Sequence, residues 1–168
     1  FLIYIKAHRR NPFFLCFILI IKLIIMKALF KTSSVLWVIW GIVHMFFGGF
    51  ILYLVSIGDT SRIVAEVANN VSPELVKMDY HSAANAMFGQ HGWNLLWFGI
   101  VTAIAAFYVW KGNKNAIFLA AIVGGLADLG YFMFMDLGGY VLFFPGKLMT
   151  YIALAAIITS FYAHFKLR

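Results

Sequence analysis

Hydrophobic positions in this chain fall in long blocks, not in the two- or four-residue rhythms of a fold that shows one face to water. Four blocks, at about residues 35–57, 86–110, 116–136 and 140–165, are each long enough to cross a hydrocarbon core of roughly 30 Å at about 1.5 Å per helical residue. No ten-residue alternation suggests barrel strands. Backbone amides in lipid must be satisfied within their own segment, so the blocks are read as helices. The expected fold is all-α: an integral membrane four-helix bundle with a helical extracytoplasmic loop between spans one and two.

The breaks between blocks carry turn chemistry. Lys111-Gly112-Asn113 and Leu137-Gly138-Gly139 are short, which makes spans two, three and four antiparallel neighbours. In the longer loop, Asp59-Thr60-Ser61 predicts a cap for a short helix over residues 62–68. Ser72-Pro73-Glu74 predicts a second helix that runs on into span two. Pro145 sets the proper start of span four, with residues 140–144 as an irregular segment dipping into the outer interface.

One further apolar run, residues 12–25, is interrupted by Lys22 and is shorter than a span requires. The chain opens on Phe1, and Met26-Lys27 is a plausible start. Residues 1–25 are therefore read as a doubtful leader or upstream translated segment, with an interfacial segment or a fifth span as alternatives, and residues 26–168 as a single four-span transmembrane domain.

Composition strengthens the membrane reading. Of the 168 residues, 64% are hydrophobic and 11% charged, whereas soluble domains average roughly 45–50% and about 25%. A net charge of +7 raises nucleic acid as a partner, but the basic residues are scattered or flank apolar blocks and form no stripe, so they are read as topology signals. Lys27, Lys31, Lys111, Lys114, Lys166 and Arg168 fall on one side of the four-span arrangement. On the other side Arg62 and Lys77 are outnumbered by Asp59, Glu66, Glu74 and Asp79, and the short turn carries Asp136 and Lys147. Both termini are then expected in the cytoplasm, as in a bacterial inner membrane. Trp37, Trp40, Tyr108, Trp110 and Tyr162 are expected as an inner aromatic belt, and Tyr53, Trp93, Trp97 and Tyr140 as an outer one. Cys16 is the only cysteine, which excludes an intrachain disulfide or dithiol pair.

Chemistry is sought where lipid makes polarity costly. Gly41, His44 and Gly48 share one helical face, as do Ala120, Gly124 and Asp128; each joins small residues, which let helices approach, to one ionisable group. His44 lies about 14 Å and Asp128 about 18 Å from the inner ends of their spans. They are expected to meet as an intramembrane polar pair, either a proton relay, an anchor for a buried ligand, or a structural bond that fixes helix register. A second group, Tyr80, His81, Asn85, His91, Asn94, Asp136 and Lys147, is expected at the outer mouth, as ligand candidates or as ordinary solvated interface residues. No HExxH, Cys/His cluster or Glu-x-x-His pair marks a metal site. The histidines lie at different depths, which argues against a bis-histidine haem. The cofactor stays unknown.

No residue motif assigns the chain to a family. The readings carried forward are a non-enzymatic bundle that binds a lipophilic ligand or serves as accessory subunit of a membrane complex, alone or as a homo-oligomer; a proton-coupled small carrier or channel; and a membrane enzyme using His/Asp acid-base chemistry on a lipid-like substrate, with His91 and Asp136 as its best pair.

Overall fold

In the computed structural model, which describes residues 12–68, 71, 74 and 81–167, the first apolar block and the run before it form one helix. This α1 (Pro12–Ser56) is unbroken for 45 residues, about 67 Å and more than twice a hydrocarbon core. It begins well before residue 35 for a simple reason: between Pro12 and Gly41 the sequence holds neither proline nor glycine, and nothing stops the helix. Its early turns carry exposed Phe13, Phe17 and Ile24, and packing on other helices begins with Met26 and Phe30.

Among the described residues, four more α-helices follow: α2 (Thr60–Val67), α3 (Ser82–Trp110), α4 (Lys114–Tyr131) and α5 (Leu148–Tyr162). Wider turns, Phe132–Asp136 after α4 and Phe143–Lys147 and Ala163–Leu167 flanking α5, extend the last two. Among the described residues, four stretches are long and apolar enough to cross a membrane: Pro12–Ser56, Ser82–Trp110, Lys114–Asp136 and Phe143–Lys166. No strand occurs among the described residues, only an isolated antiparallel bridge between Ala68 and Val141.

Turn chemistry explains the breaks. After α3, Gly112 adopts φ +71°, which favours glycine, and Asn113 caps α4 by accepting from Ala116 N at 3.1 Å. α2 covers the stretch expected for the first loop helix, although Asp59 makes no side-chain cap bond. α3 does not run back to Pro73. His81 is extended, and its Nδ1 accepts from Ala83 N at 3.2 Å, so the helix opens at Ser82. Residues 72–73 and 75–80, where the second loop helix is expected, lie outside the described residues. Before α5, Leu142 and Phe144 are extended and regular helix follows Pro145, which has a cis peptide bond to Phe144. The irregular approach to α5 is therefore present.

The helices form a ring in which α1 packs on α3 and α5, and α4 on the same two neighbours. The closest approach, α1 against α3, runs on glycine. A methyl group on Gly41 would lie 2.8 Å from Gly99 O, and one on Gly48 would lie 2.5 Å from Leu96 N. Hydroxyls add hydrogen bonds between helices: Ser33 Oγ donates to Ala156 O (2.8 Å) and Ser34 Oγ to Ala106 O (2.7 Å).

Size is distributed inside out relative to a water-soluble protein. The interior is rich in Ala105, Ala106, Ala116, Ala120, Ala153 and Ala156, while Ile42, Phe46, Ile104, Leu126, Phe134 and Ile158 are exposed. Small residues inside and large apolar ones outside suit helices that gain nothing from hiding leucine from an equally apolar solvent. Trp37 and Trp40 are the large exceptions. Instead of joining an inner belt they are fully buried, Trp37 against Gly124 and Trp40 on Asp128, both of α4. Trp37 fills the space left by Gly124 of α4, where an added methyl would come within 2.5 Å of its ring.

Candidate functional site

Trp40, His44 and Asp128 form the polar centre of the bundle. Positions 40 and 44 are one helical turn apart on α1, so their rings stack, with centroids 3.6 Å apart and planes 20° from parallel. Asp128 reaches them from α4, diagonally opposite. Trp40 Nε1 donates to Asp128 Oδ2 at 2.7 Å, and His44 Nε2 stands 3.9 Å from Asp128 Oδ1. His44 Nδ1 lies 2.8 Å from Trp40 O. A carbonyl only accepts, so Nδ1 carries a hydrogen and Nε2 is the nitrogen turned to the carboxyl group. Asp128 is 6% exposed, and a carboxyl so buried persists where partners satisfy it.

The edge between Nε2 and Oδ1 is different in kind. Oδ2 is occupied by the indole, and 3.9 Å is too long for a direct hydrogen bond. An oxygen placed at ordinary hydrogen-bond distance from both atoms would close it, at roughly 2.8 Å to each.

A cavity of about 110 Å³ opens on this edge, walled by Val43, Phe47, Leu95 and Met149 and reached by His44, His91, Asp128 and Tyr131. Tyr131 is one turn beyond Asp128 on α4, and its hydroxyl lies against Gly146, where no side chain would fit. Val67, Leu142 and Pro145 complete its lining. Thr60, Ile63 and Val67 lie on one face of α2 by helical spacing; Thr60 and Ile63 are buried, Ile63 against Ile51 and Leu54, and Val67 reaches the cavity. Thr60 Oγ1 donates to Asn85 Oδ1 at 2.9 Å, and Leu142 N donates to Val67 O at 3.3 Å. The loop between α1 and α3 and the approach to α5 thus clasp each other over the cavity.

The structure brings His44 and Asp128 together. The expected outer-mouth residues largely go elsewhere. His91 lines the cavity, but His81 caps α3, Asn85 holds Thr60, and Asn94 Oδ1 accepts from Trp97 Nε1 at 3.2 Å. Asp136 Oδ2 accepts from Thr150 Oγ1 at 3.0 Å, and Lys147 sits in the wide turn before α5; neither lines the cavity. Tyr80 lies outside the described residues. Trp40 and Tyr131 are additions from the structure. Their signal in the sequence was helical spacing, four residues before His44 and three after Asp128. Among the described residues, no cluster of three or more His, Cys, Asp or Glu is placed to hold a metal ion.

No family model, no curated protein and no solved structure matches the chain.

Proposed function

We propose that this protein is a multi-pass membrane protein whose bundle binds a small lipophilic molecule by a hydroxyl group seated between His44 Nε2 and Asp128 Oδ1. The observation that carries the reading is the unfilled polar edge at the floor of an otherwise apolar cavity. Pockets of this make-up, apolar walls with a few convergent polar groups, are the usual form of small-molecule sites. A volume of about 110 Å³ holds a ring-sized head and no complete lipid, so any tail leaves between helices. The exposed Leu, Ile and Phe around the bundle support the bilayer as its solvent, and the basic inner ends support cytoplasmic termini, as in a bacterial inner membrane.

Packing favours binding over transport. On the inner side of Asp128 the bundle is filled by Trp37, Ile117, Ala120 and Gly124. His91 and Asp136, the pair required for acid-base catalysis at the mouth, do not share the cavity.

The test is mass spectrometry of protein purified in mild detergent, comparing the natural chain with Asp128→Ala and His44→Ala. A small apolar oxygen-bearing compound retained by the natural chain and lost from both variants supports the reading. Equal retention by all three, or retention of nothing after incubation with a membrane lipid extract, overturns it.

A further inference from the structure

Opposite the cavity, at the inner end of the bundle, α1 and α3 leave a groove of about 300 Å³ lined by Lys31, Thr32, Val35, Leu36 and Trp110. We infer that this groove seats the headgroup and upper acyl chain of an anionic phospholipid. The inference rests on the membrane reading above but not on the cavity ligand.

Three features make the groove more than a gap between helices. Lys31 Nζ stands 5.1 Å over the Trp110 ring, a cation–π contact that holds the ammonium at the groove mouth before any ligand arrives. Thr32 Oγ1 and Trp110 Nε1 make no hydrogen bond among the described residues, leaving two neutral donors beside that cation for phosphate oxygens. Val35 and Leu36 are one turn deeper along α1, so the lining changes from cationic to apolar in the direction a lipid changes from headgroup to chain.

Charge around the groove agrees. Phe30 packs against Gly112, which places Lys31 at the level of Lys111 and Lys114. Lys111 Nζ lies 4.2 Å over Phe107, and Lys114 Nζ lies 5.9 Å over Phe118. Asp59, Glu66 and Asp136 are at the opposite end of the bundle, and Asp128 is at its middle. The inner end therefore presents cations without nearby carboxylates from these residues, and aromatic rings fix where the cations stand. Basic grooves between spanning helices on the cytoplasmic side attract anionic headgroups, at about a fivefold gain in affinity per lysine near the surface.

The experiment reconstitutes the full chain in vesicles of equal phosphatidylglycerol and phosphatidylcholine, extracts it gently, and counts retained lipids by native mass spectrometry. The natural chain is expected to retain phosphatidylglycerol preferentially. Lys31→Gln should reduce that preference about fivefold, Lys31→Arg should keep most of it, and Lys114→Gln, outside the groove, should reduce it less than Lys31→Gln does. No preference in the natural chain, or equal losses in Lys31→Gln and Lys114→Gln, overturns the site in favour of diffuse surface attraction. Failure of the chain to enter the vesicles at all overturns the membrane reading instead.

Discussion

Trp40 holds Asp128 and His44 by different atoms: its indole nitrogen donates to the carboxyl group at 2.7 Å, and its backbone carbonyl accepts from the imidazole at 2.8 Å. One residue thereby sets the position of both members of the central pair. Trp40→Phe keeps an aromatic ring beside His44 but removes the indole bond and leaves a buried carboxyl oxygen without its donor, at a cost of about 1–3 kcal/mol. In a double-mutant cycle with Asp128→Ala, thermal unfolding in detergent should give a coupling energy above about 0.5 kcal/mol. Additive losses would show that the bond contributes nothing.

Asp128→Asn separates structure from binding. Its amide oxygen can still accept from Trp40, so unfolding should shift by less than about 1.5 kcal/mol. The acid facing His44 is gone, and affinity for the bound lipophile should fall roughly ten- to a hundredfold, the cost of leaving one buried polar contact unmade. Titration calorimetry or displacement of the retained compound reads this directly, and unchanged affinity would exclude Asp128 from the site.

Gly48→Ala places a methyl 2.5 Å from Leu96 N and 2.6 Å from Gly92 O. Both are backbone atoms, so no side chain can swing away, and α1 must separate from α3. A loss of about 1–3 kcal/mol is expected. Gly49→Ala, one position on, meets nothing within 4 Å and should be neutral or stabilising by up to about 1 kcal/mol. Equal effects from the two would show that close approach does not hold this helix pair.

The clasp over the cavity can be locked. Ala68 and Val141 form an antiparallel bridge, with an expected Cα separation of about 4.5–5.5 Å, inside the range that a disulfide spans. In a Cys16→Ser background, Ala68→Cys with Val141→Cys should oxidise without distortion and slow release of the bound compound, with the rate restored by reductant. Exchange at the natural rate in the oxidised form would place the entrance between helices and not under the clasp.

The sequence made His44 and Asp128 legible because ionisable groups within long apolar blocks stand out against their surroundings. Gly41, Gly48, Ala120 and Gly124 were legible for a related reason, as small residues at helical spacing beside them. Trp40 was not. An indole near the presumed end of a span looks like an interfacial anchor, and only the packing of α1 against α4 shows that it is interior, bonded to Asp128. The outer mouth was harder still. His81, Asn85 and Asn94 carry the right atoms for ligand binding, but each spends them on local structure: a cap, a loop tether and a neighbouring indole. Which bond a surface amide or imidazole makes depends on where the loop folds back, and hydrophobic patterning does not encode that.

The two buried tryptophans of α1 have an optical consequence. Trp37 and Trp40 meet edge to face, with ring centroids 5.9 Å apart and planes at 83°, and Trp40 also lies flat against the imidazole of His44. Indoles held this close in a fixed asymmetric geometry couple their transitions, so the protein carries a chromophore pair whose ellipticity and emission respond to whatever touches His44. Occupancy of the cavity becomes visible without a label.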